Sequence, residues 1–264
     1  MFIEQQKIIW NRNWERQIQV NPKEILNSRF TQEGYNCLKN FINAERDRLI
    51  LEAGCGTGRF CCLLARDFPD SQVIGMDISP NSLKIANRLK EYLHVQNVSF
   101  IRGNLFQMPY YNNYFDVVFN EGVIEHFRMD DQPNYVDAVC EMIRVTKRRG
   151  KVIIAVPNWY NFPHTLYKYF LKKLNREFEY SYEKSFKHTE LIRLFSELGL
   201  KDIEVGGFYP AHGFYRLSGK KRIGKIFTLL GKLTDITLLS SGNKITNYFN
   251  KKFGFEIIIK GVKE

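Results

Sequence analysis

The stretch LEAGCGTGRF, residues 51–60, places Gly54, Gly56 and Gly58 on alternate positions directly after the apolar run RLILEA (48–53). A strand that enters so tight a turn and leaves as a helix beginning near Arg59 offers backbone N–H groups and a positive helix end to a ligand. The expectation is that a ligand approaches this backbone closely enough to exclude side chains. A dinucleotide fingerprint reads G-x-G-x-x-G, but Arg59 holds the place of its third glycine, and the phosphate loop G-x-x-x-x-G-K-[ST] is absent too. Glu52, just ahead of the loop, suits a ligand carrying an ammonium group better than a pyrophosphate. Such a ligand is an amino acid attached to a nucleoside.

Further runs of strand length follow at 72–77, 98–103, 114–120 and 151–157, with helical segments between them. Strands alternating with helices predict a parallel sheet covered on both faces. Ser79 as cap with Pro80 at the first helical position marks one helix, and Val136, Val139, Cys140 and Ile143, followed by KRRG ending at Gly150, mark another. A helix over 189–200 leads into a strand at 201–209, and 254–262 reads as a last, edge-paired strand, which makes seven. At 264 residues the chain suits one α/β core with insertions. Two segments break the alternation: 158–186, dense in aromatics, and 209–252, with nine basic residues and one acidic. The first leaves the carboxyl end of a strand, where it either walls a substrate pocket or packs as a satellite core.

An apolar content of 44% argues against disorder, and no apolar run approaches the roughly 18 residues of a spanning helix. The N-terminus lacks the pattern of a secretory signal, and five cysteines without a C-x-x-C pair fit reduced thiols, so a cytoplasmic location is expected. The net charge of +11 divides into +2 for residues 1–160 and +9 for 161–264. That surplus suits nucleic acid, anionic lipid or an anionic small molecule, or else a solvated surface.

LEAGCGTGRF, VIGMDISP, GNLFQMPYYNNYFDVVFNEGVIEHF and KVIIAVPN together make the chain resemble the class I S-adenosylmethionine-dependent methyltransferases, in particular their small-molecule branch. The coarser similarity runs from about residue 45 to 208. The resemblance implies a doubly wound, Rossmann-like, seven-stranded and mostly parallel sheet with an antiparallel last strand, here with helical insertions at 158–186 and 209–252 and an N-terminal helical segment over 1–44. It implies S-adenosyl-L-methionine as cofactor, with its methionine part against Glu52, Gly54, Cys55, Gly56 and Gly58. Asp77 would accept from the ribose hydroxyls, Ile78 and Leu105 would cover the adenine, and Asn104 would accept from its amino group in place of the family's usual acid. Asn120, Glu121 and Gly122 end the fourth strand where the family holds the methionine portion and admits the acceptor.

A sulfonium methyl is already activated, so the enzyme aligns the acceptor, excludes water and supplies a base where the nucleophile carries a proton. His126 is the best-placed candidate base, its alternative role being a hydrogen bond that anchors the loop; Glu121 and His164 are the other catalytic candidates. His188 and His212 read as surface or loop residues. Relatives with E-x-x-E-H bind a divalent metal, but Gly122 stands at the first ligand position here and Glu121 is displaced by one, so no metal is expected. The leading reading is methyl transfer to a small molecule, lipid-linked or anionic. A nucleic-acid acceptor is the alternative, although no RNA-binding module accompanies the core, and a non-catalytic cofactor-binding protein is the third reading. Within 209–252, Ile223, Ile226, Phe227, Leu230 and Leu233 form one helical stripe with Lys221, Lys225 and Lys232 off it. Such a helix caps the pocket, lies on an anionic membrane or packs against the domain through that stripe. The sequence leaves the oligomeric state open.

Overall fold

The computed structural model describes residues 2–43, 45–173, 182–218, 224–240 and 243–264. Strands β1 (Leu49–Ala53), β2 (Gln72–Asp77), β3 (Val98–Arg102), β4 (Phe115–Glu121), β5 (Thr146–Pro157), β6 (Leu200–Phe208) and β7 (Glu256–Lys263) form one sheet in the order β3-β2-β1-β4-β5-β7-β6. β1 to β5 pair in parallel, and β7 runs antiparallel to both its neighbours. This is the Rossmann-like, mostly parallel sheet with a reversed last strand that the sequence predicts. One expectation is corrected: β7 lies between β5 and β6, and β6 is the edge. Ile257, Ile258 and Ile259 are all buried, so this run is apolar on both faces and belongs inside a covered sheet.

Consecutive residues on each strand serve opposite layers. Ile50, Val117, Ile153 and Ile258 pack with Tyr35, Leu38, Leu64 and Leu89, whereas Leu51, Val118, Ile154 and Ile257 pack with Val139, Met142, Leu191 and Phe195. Helices α1 (Phe2–Glu15), α2 (Pro22–Asn27) and α3 (Arg29–Lys39) precede the sheet. α3, with α4 (Arg59–Asp67) and α5 (Pro80–Leu93), covers the first face, while the second is covered by α6 (Tyr135–Val145) and, beyond α7 (Phe162–Lys173), by α8 (His188–Glu197). Their starts are fixed locally. The Ser79 hydroxyl accepts from the Asn81 and Ser82 amides ahead of α5, and Asn134 with Asp137 closes a capping box on α6.

The basic insertion folds as α9 (His212–Ser218), α10 (Gly224–Ser240) and α11 (Asn243–Phe253). The predicted stripe is not the packed face of α10: Ile226, Leu230 and Leu233 are exposed, and Ile223 and Lys221 lie outside the described residues. The packed face carries Gly231, Asp235 and Leu238. Gly231 allows α10 to close on the Tyr215 ring of α9, whose carbons stand 2.9 Å from where a Cβ would be. Asp235 accepts from the Tyr215 hydroxyl at 2.7 Å and pairs with Arg29 at 2.6 Å. The glycines that weaken this segment as an isolated helix are its contact points. No helix among the described residues is long and apolar enough to cross a membrane.

Candidate active site

The carboxyl ends of β1 to β5 and the first residue of β7 meet at one sheet edge, around the point where the strand order reverses between β1 and β4. Open α/β sheets hold ligands at this place. A cavity of about 460 Å³ lies there, lined by the glycine loop, Asp77 and Ile78 after β2, Asn104 and Leu105 after β3, Glu121 and Gly122 after β4, and Glu256 from β7. Its volume falls in the range of small-molecule sites.

Gly54, Gly56 and Gly58 all adopt left-handed φ, at 87°, 50° and 68°. An added Cβ would stand 2.6 Å from Val123 at Gly54, 3.0 Å from the Trp14 ring at Gly56 and 2.6 Å from Phe100 at Gly58. The reason for glycine is therefore corrected: backbone conformation and protein neighbours demand it before any ligand is considered. Gly54, Cys55 and Gly56 still face the cavity, whereas Gly58 turns inward as the start of α4. The Asp77 carboxylate accepts from the Gly56 amide and from the Ser79 amide, each at 2.8 Å, and so ties the loop to the cap of α5. The Asn104 carbonyl accepts the Phe106 N–H at 3.1 Å while lining the cavity.

Besides Gly58, three more predicted site residues do not reach the cavity wall. Glu52 is buried under the loop, where its carboxylate accepts from the amide and thiol of Cys61 at 3.2 and 2.8 Å; burial pushes it up to about 8. It satisfies the first turn of α4. Asn120 points to the α6 side and donates to the Met142 sulfur at 3.3 Å, because neighbouring strand residues face opposite ways and Glu121 takes the cavity side. His164 is fully buried on α7 and donates from Nε2 to Glu183 at 2.8 Å.

Glu121 pairs with Arg59 at 2.5 Å, and burial, with Glu121 and Glu125 nearby, raises Glu256 so that it carries the proton of a hydrogen bond with Glu121. His126 donates from Nδ1 to the Tyr182 carbonyl at 2.7 Å, which makes Nε2 the acceptor nitrogen; burial lowers its pKa and keeps the ring neutral. The ring thus anchors the backbone at Tyr182, the structural role the sequence allows, while it also lines the cavity. Burial raises Glu125, whose Oε1 lies 3.9 Å from His126 Nε2 and whose buried Oε2 has no hydrogen-bond partner among the described residues. Burial also disfavours the Glu183 carboxylate, but the His164 hydrogen bond and the charges of Lys168 and Arg216 more than offset it and hold the group at about 2. His212, expected at the surface, lines the cavity against Phe30 and Phe255; burial first, then Arg216 and His164, lowers it to about 3. Among the described residues no cluster of three or more His, Cys, Asp or Glu is arranged to hold a metal.

Sequence reasoning expected a helical N-terminal segment but missed that α1 lines the site. Trp14 lies over Gly56, Trp10 meets the His126 ring edge-on at 4.9 Å, and both line the cavity. Asn11 fastens the helix to the start of α5: its carbonyl oxygens accept from the Ser79 hydroxyl and the Asn81 side chain, each at 3.1 Å. The only signal in the sequence is WNRNW, two tryptophans four residues apart on one helix face.

A family model described as a methyltransferase domain matches residues 45–229. The chain belongs to the S-adenosylmethionine-dependent methyltransferases. Among its relatives is a demethylmenaquinone methyltransferase of Bacillus mycoides, 33% identical over 175 residues, which cover 60% of this chain and 72% of that protein. Another, from Geobacillus kaustophilus, is 29% identical over 181 residues, 62% of this chain and 75% of the other. In fold the methyltransferase matches a phosphoethanolamine N-methyltransferase 2 of Haemonchus contortus, solved with S-adenosylhomocysteine, at a TM-score of 0.64 and 18% identity, covering 98% of this chain and 60% of that one. The methyltransferase is an enzyme with S-adenosylmethionine as its cofactor. Its cavity fits that group: an acidic side chain stands at the end of β2, backbone bends around left-handed glycines, and apolar Ile78 and Leu105 lie beyond.

Proposed function

We propose that the enzyme methylates a small, largely apolar acceptor with a ring and an ionisable hydroxyl, of the quinone-derived kind carried in the names of its relatives. The observation that carries this reading is the wall around His126. The Trp10, Phe106, Phe127 and Phe255 rings line the same cavity as this neutral imidazole, so apolar surface and a proton acceptor face one space. S-adenosylmethionine, when bound, supplies a methyl group already activated by its sulfonium. The protein's own task is to place the acceptor atom in line and to exclude water. His126 Nε2 takes the hydroxyl proton as charge builds on the acceptor ring, its tautomer fixed by Tyr182. Glu125 beside it, with its pKa raised by burial, keeps its proton and can hydrogen-bond an acceptor oxygen without transferring it. His164 acts through Glu183 as a positioning residue, and the Arg59, Glu121 and Glu256 series shapes the floor next to the glycine loop. The five cysteines are free thiols, which supports a reducing, cytoplasmic setting.

The test is to incubate the purified protein with methyl-labelled S-adenosylmethionine and, in parallel, a short-chain naphthohydroquinone, histamine, phosphoethanolamine and RNA. Label entering the hydroquinone, and lost in His126→Ala with unchanged S-adenosylhomocysteine affinity, is the expected result. Label entering only an amine or the RNA overturns the reading.

A further inference from the structure

α10 is apolar on two sides. Its packed side carries Gly231, Asp235 and Leu238. On the opposite side Ile226, Leu229, Leu230, Leu233 and Ile236 recur at i, i+3, i+4, i+7 and i+10, with exposures from 38% at Leu230 to 62% at Ile236. At 100° per residue these five fall within about 120° of arc, and Lys225 and Lys232 sit on one border between that arc and the packed side. α11 repeats the pattern: Ile245, Tyr248 and Phe249 are exposed on one face, with Lys244 and Lys251 on its border and Lys252 in line with it. The only acid in either helix is Asp235, which is turned inward and satisfied by Arg29 and Tyr215. Between them the exposed faces of the two helices carry eight large apolar side chains and five lysines, with no carboxylate of their own.

A monomer in water rarely leaves an apolar patch of this kind uncovered. We propose that α10 and α11 dock on an anionic lipid surface, lying in the headgroup plane with the apolar stripes inserted and the lysines at the phosphate level. Charge selects this occupant. A second copy seated on the same face would bring lysines against lysines with no acid to pair them. A nucleic acid would meet only aliphatic residues along the exposed stripe of α10, where stacking aromatics are needed. α10 is 17 residues long and falls short of a spanning helix, whereas its pattern, aliphatic on one side and basic at the border, is that of a helix lying in the interface. α10 packs on α9, whose His212 and Arg216 line the cavity, so docking brings the acceptor side of the site next to the bilayer. The proposal stands on these helices alone and does not depend on the acceptor's identity.

The test is co-sedimentation of the full chain with phosphatidylcholine vesicles made with and without phosphatidylglycerol. Binding is expected only to the anionic vesicles, falling steeply as the Debye length shrinks from about 10 Å at 0.1 M salt to about 3 Å at 1 M. Leu229→Asn with Leu233→Asn, and separately Lys225→Glu with Lys232→Glu, should each lower vesicle partitioning by about tenfold or more. Both doublets lie on exposed positions and should keep the wild-type Tm and S-adenosylhomocysteine affinity. If the leucine doublet fails to fold, the lysine doublet decides the matter. Absence of vesicle binding at low salt, unchanged binding in a folded doublet, a dimer in ultracentrifugation that the leucine doublet dissociates, or preferential retention on RNA would each overturn the proposal.

Discussion

Asp77→Ala isolates the residue on which the cofactor end of the cavity turns. Its carboxylate accepts two amides, from Gly56 and Ser79, at 2.8 Å each, and it is 7% exposed. Removing it leaves two largely buried N–H groups without a partner. Each costs about 1–2 kcal/mol, because the cavity admits some water, so the pair costs about 3 kcal/mol. For a chain of this size that lowers Tm by about 6–12 °C in the absence of ligand. If the ribose hydroxyls donate to the same carboxylate, binding loses a further 1.5–3 kcal/mol or so, about 10- to 150-fold in Kd. Asp77→Asn keeps one oxygen for the Ser79 amide and turns an NH2 toward the Gly56 amide, so it should recover about half of the stability loss. Calorimetric titration with S-adenosylhomocysteine, beside thermal unfolding of the free protein, reads both effects. A folded alanine variant that binds the ligand within twofold of wild type would show that Asp77 only braces the loop, and the ribose assignment would fail.

His212 stays neutral in the fold down to about pH 3, below its ordinary value of 6.5, so its contribution to stability is intact above pH 6.5 and is lost as the pH falls toward 3. His212→Phe should therefore reduce the slope of urea-unfolding free energy against pH in that window by about 1.4 kcal/mol per unit; an unchanged slope refutes this. Trp14→Ala uncovers Gly56 and should weaken S-adenosylhomocysteine about fivefold or more, whereas Trp159→Ala should leave it unchanged, and equal affinities for both would remove α1 from the site. Methyl transfer should survive exhaustive chelation, because Gly122 stands where a ligand is needed and Glu121 is engaged by Arg59; a loss of turnover that a divalent ion restores refutes that reading.

The strands were legible because each is a compact apolar run between polar turns, and Ser79 with Pro80 marks the start of α5 as plainly in the sequence as in the structure. Pairing order left no such trace. The three isoleucines of β7 show that both faces are covered, but not that β6 lies outside them. Gly54, Asp77, Ile78, Leu105, Glu121 and His126 line the cavity as the sequence led one to expect, because they lie at or just after strand ends on one sheet edge. Glu52 and Asn120 went astray for one reason: each occupies the strand position whose side chain faces a helix layer, a one-residue difference that a motif reading does not weigh. The place of α1 at the site went unread because its contacts with Gly56 and His126 span more than forty and more than a hundred residues, beyond any local signal. In α10 the periodicity announced a stripe, but which side packs was decided by Gly231 and Asp235, residues that count against a helix when read alone.

The placement of the tryptophans gives this protein an optical probe of its own. Of its three, Trp10 and Trp14 stack at 6.4 Å between centroids and border the cavity, one over the glycine loop and one against His126. The third, Trp159, is half exposed and lies away from the cavity wall. A ligand that fills the cavity beside the first two should change their emission while Trp159 supplies a constant background, so loading and release can be followed by intrinsic fluorescence in the unlabelled enzyme.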